Sequence, residues 1–105
     1  MHIPGSHLNA LCWNGGRFER PADVIDACDR AVAMDPQDRE RHDSRGLVRA
    51  QLGDLEGAAE DFEFFIETGS AQGARRIQQR TGWLEELRAG RNPFTPEVLQ
   101  ELRGG

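Results

Sequence analysis

Shifted against itself by 34 residues, the chain repeats its own pattern. Cys12 falls on Gly46, Val24 on Ala58, Cys28 on Phe62, Ala31 on Phe65 and Val32 on Ile66, and the acid Asp29 meets Glu63. A repeat of this length is one supersecondary unit that cannot bury its apolar face alone, so neighbouring copies must stack to make a core. Within the copies the apolar residues recur at helical spacing. Val24, Ile25, Cys28, Ala31 and Val32 fall on one stripe, and Leu55, Ala58, Ala59, Phe62, Phe65 and Ile66 on another. Tyrosine is absent and no stretch alternates apolar with polar residues, so strands are not expected.

Caps, glycines and prolines cut this pattern into six predicted helices. Ser6 caps a short helix carrying Leu8, Leu11 and Cys12, which Gly15 and Gly16 end. Pro21 opens the second, running to about Met34, and Asp35-Pro36 stops it because the residue before proline avoids the helical region. Asp38 caps a third helix to about Leu52, closed by Gly53, and Asp54 caps a fourth, closed by Thr68-Gly69. Ser70 opens a longer fifth helix to about Ala89, with Ala74, Ile77, Trp83, Leu84 and Leu87 facing inward. After Gly90 and a turn at Asn92-Pro93, Thr95-Pro96 starts a short last helix through Val98, Leu99 and Leu102. The expected fold is all-α.

Two helical hairpins at this period resemble the tetratricopeptide repeat. The second copy carries the resemblance: Arg45-Gly46-Leu47, then Leu52-Gly53-Asp54-Leu55-Glu56-Gly57-Ala58, then Phe62, bring a small residue, a glycine turn, a large apolar residue, an alanine and an aromatic in the family's order. The first copy keeps Ala31 and the Asp35-Pro36 terminus. The resemblance implies one helical repeat domain over 1–105, with a divergent first repeat at 5–36, a second at 37–69 and C-terminal capping helices at 70–105. An atypical end that covers the last open apolar face is what such arrays require. The chain is also similar to C-terminal repeat segments of large bacterial multidomain proteins, where comparable Asn-Pro-Phe-Thr-Pro endings follow two hairpins.

Composition narrows the function classes. All 13 basic residues are arginine, so no P-loop lysine, Schiff-base lysine or lysine base is available. A net charge of −5 removes the general attraction to phosphate backbones, so a nucleic-acid partner is not expected. No apolar run approaches the ~20 residues of a membrane-spanning helix, and the first residues lack the pattern of a signal peptide. A cytoplasmic location with Cys12 and Cys28 as reduced, buried thiols is the expectation. His2, His7 and His42 are scattered, with exposure expected of each, and no ligand spacing for a metal occurs. The acids spread along helix faces rather than converging, and no nucleophile elbow is present. Neither catalysis nor a cofactor is expected; a Cys/His-based enzyme or metal protein using Cys12, Cys28 and His42 ranks last among the alternatives.

The resemblance implies a non-enzymatic scaffold or adaptor that binds a protein or peptide segment on the concave face formed by the first helix of each hairpin. Carried over by position, that face would present Asn9 and Trp13, then Asp43, Leu47 and Ala50, with Ile77 and Arg80 added by the capping helix. A tryptophan beside an asparagine can grip an extended peptide by apolar contact and backbone hydrogen bonds. Trp13 as core, or covered by the long C-terminal helix, is the competing placement. The basic positions with which some members hold a terminal carboxylate carry Glu40 and Asp43 here. The alternative is a self-associating structural unit, a homo-oligomer that covers its open ends by stacking on another copy. Arg41, Arg45 and Arg49 lie four apart and are placed to hold acids on neighbouring helices, Asp61 among them. Arg75, Arg76 and Arg80 form a second cluster, open to an acidic partner or phosphate.

Overall fold

A computed structural model describes residues 3–104. Six helices and no strand occur among them: α1 (Gly5–Arg17), α2 (Pro21–Met34), α3 (Arg39–Gln51), α4 (Leu55–Glu67), α5 (Ala74–Arg88) and α6 (Pro96–Leu102). None is long and apolar enough to cross a membrane. Three of the expected caps are made by side chains: Asp38 accepts from the Glu40 N–H, Asp54 from the Gly57 N–H and Thr95 from the Val98 N–H. Pro21 sits in the first turn of α2, where its missing N–H costs no helical bond.

Three boundaries differ from the sequence reading. α1 starts at Gly5 behind Pro4, without a Ser6 cap, and runs through Gly15 and Gly16 to Arg17. The two glycines serve close packing here rather than termination. A Cβ on Gly16 would sit 2.7 Å from Cδ2 of Leu47, and one on Gly15 would collide with Val24. α5 begins at Ala74 rather than at Ser70, because Gly73 precedes it in the left-handed conformation at φ 85°. Ala74 consequently lies exposed on the first turn instead of facing inward.

The helices pack as two antiparallel hairpins, α1 with α2 and α3 with α4, and α3 lies against both helices of the first hairpin. α5 continues the stack only in part. It packs on α4, but none of its Cα atoms comes within 8 Å of α3. Side chains bridge that gap. Phe62, Trp83 and Phe94 form a mutual aromatic cluster, with Trp83 edge-on to both partners at 5.4 and 4.8 Å. Leu47, Ala50, Ala58, Ala59, Leu87 and Leu99 are buried with them. α6 then folds back to α1, so the last helix meets the first. Arg17 donates to the Leu102 carbonyl (3.2 Å) and Arg103 to the Arg17 carbonyl (2.7 Å), each arginine serving the C-terminal end of the other helix.

The thiols expected to be reduced are joined: Cys12 and Cys28 form a disulfide, with Cα atoms 5.0 Å apart. Both are fully buried where α1 crosses α2, and antiparallel pairing with a small residue at the crossing sets them face to face. A Cys12–His42 pair therefore does not form. His42, expected to be exposed, is half-buried instead. Its Nδ1 lies 3.0 Å from Asp61, its Nε2 is 2.8 Å from the Pro36 carbonyl, and its ring stacks on Phe64.

Asp61 is also the acid that the arginine row of α3 holds. Arg45 grips it through Nε and Nη2, both at 3.0 Å, and Arg49 adds a bond of 3.1 Å. Burial works against the Arg45 charge, but the Asp61 bonds and the Asp61 and Asp29 charges outweigh it and raise its affinity for the proton. Arg41 turns away, to Asp38 and to the Ala31 carbonyl.

Candidate functional site

α1 and α3 run side by side, and their N-terminal halves form two walls of a groove of about 380 Å3 whose third wall is α5. α1 contributes Asn9 and Trp13, α3 contributes Glu40, Asp43 and Ser44, and α5 contributes Arg76 and Arg80. The 34-residue register explains the stacking: Asn9 and Asp43 occupy equivalent positions, as do Ser6 and Glu40, and Ala10 and Ser44.

The charges in this groove are already matched. Asp43 and Arg80 are only 2% and 3% exposed, and they meet in a two-pronged bond, Nε to Oδ1 at 2.8 Å and Nη2 to Oδ2 at 2.7 Å. Arg76 reaches the same carboxylate at 3.3 Å and makes two further bonds to Glu40, at 3.1 and 2.8 Å. The Glu40 bonds, against partial burial, raise the Arg76 guanidinium's hold on its proton. The Arg80 guanidinium also lies 4.5 Å from the centre of the Trp83 ring, a cation–π contact that fixes it from the other side. These ion pairs span the gap between α3 and α5 that the backbones leave open.

One polar atom in the groove is unsatisfied. Asn9 Oδ1 is buried and has no hydrogen-bond partner. Buried polar atoms are rarely left in this state, because desolvation without a bond costs on the order of 1–3 kcal/mol. It stands beside Trp13, which is half-buried, so the core placement of that tryptophan holds only in part.

The seven residues expected on this face divide into three groups. Asn9, Trp13, Asp43 and Arg80 converge on the groove. Leu47 and Ala50 are fully buried and present no surface. They lie in one apolar cluster with Phe94 and Leu99, so the chain's own C-terminal segment covers the lower half of the face. Ile77 does not line the groove; it packs beside Gly69, where an added Cβ would strike its side chain. Sequence reasoning passed over Ser6, Ala10 and Ser44 as wall residues, although the repeat register pairs Ser6 with Glu40 and Ala10 with Ser44 as plainly as it pairs Asn9 with Asp43. Arg76 was placed with Arg75 and Arg80 in a free basic cluster. Arg76 and Arg80 are instead bound to α3, and Arg75 is exposed and does not line the groove.

No curated protein and no solved structure matches the chain significantly. A family model for the tetratricopeptide repeat matches residues 17–81, which takes in α2, α3, α4 and the first half of α5. With that match over more than half its length, and with two stacked antiparallel hairpins, the chain belongs to the tetratricopeptide repeat family.

Proposed function

We propose that this chain is a non-enzymatic scaffold whose upper concave groove takes an extended segment of a partner protein. The observation that carries the reading is the buried, unpartnered Asn9 Oδ1 beside the apolar face of Trp13. An extended peptide supplies what this pair lacks: a backbone N–H for the amide oxygen and a side chain for the indole. Because Arg76 and Arg80 already neutralise Glu40 and Asp43, the groove favours backbone and apolar recognition over a charged terminus. Panning a random twelve-residue peptide library against the protein tests this directly. Selected peptides should lose about tenfold in affinity on Asn9→Ala, the worth of one well-placed hydrogen bond, and more on Trp13→Ala. Circular dichroism should show both variants folded. Peptides that bind both variants as well as the parent protein would place recognition elsewhere.

A second reading, self-association, is favoured by one surface. Leu11 on α1 and Phe18, the residue that ends it, are 51% and 58% exposed. Light scattering over a hundredfold range of concentration decides it. A constant monomer mass ends this reading, and a mass that doubles and then reverts on Leu11→Glu supports it.

A further inference from the structure

The turns that end α1 and α3 are built alike. Two backbone bonds close each helix end: the Glu19 and Arg20 N–H groups donate to the carbonyls of Gly16 and Gly15, and the Gly53 and Asp54 N–H groups to those of Ala50 and Arg49. The residue at the bend takes a left-handed conformation. The second turn uses glycine there, at φ 87°, and the first uses Glu19, its equivalent 34 residues earlier, at φ 58°. Glycine adopts this conformation freely, whereas a side chain in it is strained and costs stability. Packing does not account for the glutamate. Its side chain is 60% exposed, and Arg103 stands 4.0 Å from its carboxylate, too far for a hydrogen bond.

Glu19 lines a cavity of about 320 Å3 together with Pro21, Gln51, Asn92, Phe94 and Leu99. The side-chain hydrogen-bonding capacity left over in these walls lies with acceptors. Asn92 is committed at both ends, its Nδ2 donating to the Ala50 carbonyl and its Oδ1 accepting from the Phe94 N–H. Gln51 donates its Nε2 to the Gly16 and Leu47 carbonyls, and among the described residues no donor bonds to its Oε1 or to the Glu19 carboxylate. Two free acceptors, one of them an anion, thus stand beside the apolar walls of Pro21, Phe94 and Leu99. We propose that this cavity is a binding site for the side chain of a lysine or arginine of a partner protein. Such a side chain brings donors and no acceptor, a positive charge for Glu19 and a methylene stem for the apolar walls. Glu19 sets the specificity, and the strained backbone is the cost of holding a carboxylate at this spot. The site shares no residue with the groove between α1, α3 and α5, so it does not depend on the peptide reading.

The probes are N-acetyl-arginine methylamide and N-acetyl-lysine methylamide, titrated into isotope-labelled protein and followed by two-dimensional NMR. Each should shift the Glu19, Gln51 and Phe94 amide signals saturably, with a Kd of about 1 mM, the range of one partly exposed ion pair on a short apolar stem. N-acetyl-norleucine methylamide keeps a stem and lacks the charge, and should give no saturable shift. Glu19→Gln should weaken the binding of both cations by about fivefold. Glu19→Gly should abolish the shifts and at the same time raise the thermal unfolding midpoint by about 3 °C, because it releases the strained turn. No saturable shift with either cation, undiminished binding by Glu19→Gln, or saturable binding of the norleucine probe overturns the proposal. A Glu19→Gly protein that unfolds at a lower temperature than the parent shows that the carboxylate is kept for Arg103, and overturns it as well. Asn9→Ala should leave these shifts unchanged, so this site and the groove can fail separately.

Discussion

Cys12 and Cys28 in the first hairpin occupy the same repeat positions as Gly46 and Phe62 in the second, and the two pairs close the same crossing by opposite means. In the first, a covalent bond joins α1 to α2. In the second, Gly46 offers no side chain at all, and the Phe62 ring fills the space so closely that a Cβ on Gly46 would sit 2.9 Å from its Cζ. The surroundings differ in the same way. His42, Arg45, Arg49 and Asp61 make an ionic centre in the second hairpin. Their counterparts in the first are Leu8, Leu11, Gly15 and Ala27, which carry no charge. A tetratricopeptide hairpin therefore needs close approach at one crossing, and the chemistry that secures it is open to substitution. Arg45 adds a further lesson. It reaches back to Asp29 on α2 at 3.4 Å, joining the two hairpins, whereas Leu11 at the equivalent position faces outward on the first hairpin.

The largest effect expected is at the packed crossing. Phe62 is fully buried and touches both Trp83 and Phe94, so Phe62→Ala removes the centre of the aromatic cluster and leaves a cavity. A loss of about 4 kcal/mol is expected, read from urea unfolding. The covalent crossing should cost somewhat less to remove. Replacing Cys12 and Cys28 together by alanine frees a loop of about 15 residues in the unfolded chain, worth about 3 kcal/mol. Thermal unfolding of the parent protein with and without reductant measures the same difference. If reductant leaves the midpoint unchanged, apolar packing with Val24, Ile25 and Val48 closes the first hairpin without the bond.

How far these crossings could be read from sequence follows the same divide. The second hairpin was legible because its turn and cap residues, Gly53 and Asp54, lie at fixed local offsets, and Phe62 and Ala58 fall on one stripe. The register also brought Cys12 over Gly46, but it did not show that the cysteines meet, since pairing depends on how two helices rotate against each other. Gly15 and Gly16 read as a helix end because the same residue type serves both termination and close approach, and only the neighbouring Val24 and Leu47 decide between them. Asn9, Trp13 and Asp43 were found by position. The burial of Leu47 and Ala50 was not, because α6 returns to the concave face across a loop whose direction no local signal sets.

The ionic centre should matter less than either crossing, because the first hairpin forms without one. Asp61→Ala strands Arg45 and Arg49, but both keep part of their surface in water and can be rehydrated. The cost is expected near 2 kcal/mol, below the figure for a fully enclosed pair. Arg80→Ala provides the contrast, since Asp43 is then left buried with Arg76 as its one remaining arginine, and about 3 kcal/mol should be lost.

The smallest change expected is at Leu11. Its exposure on a face that the second hairpin uses for an inter-hairpin ion pair means that Leu11→Asn removes no core contact, and monomer stability should move by no more than about 0.5 kcal/mol. A larger loss in dilute solution would show that Leu11 shares in closing the first hairpin. A loss that grows with protein concentration would instead show that Leu11 is covered by a second molecule, since an interface stabilises by mass action and a core contact does not. Unfolding measured at two concentrations a hundredfold apart separates these outcomes on one variant.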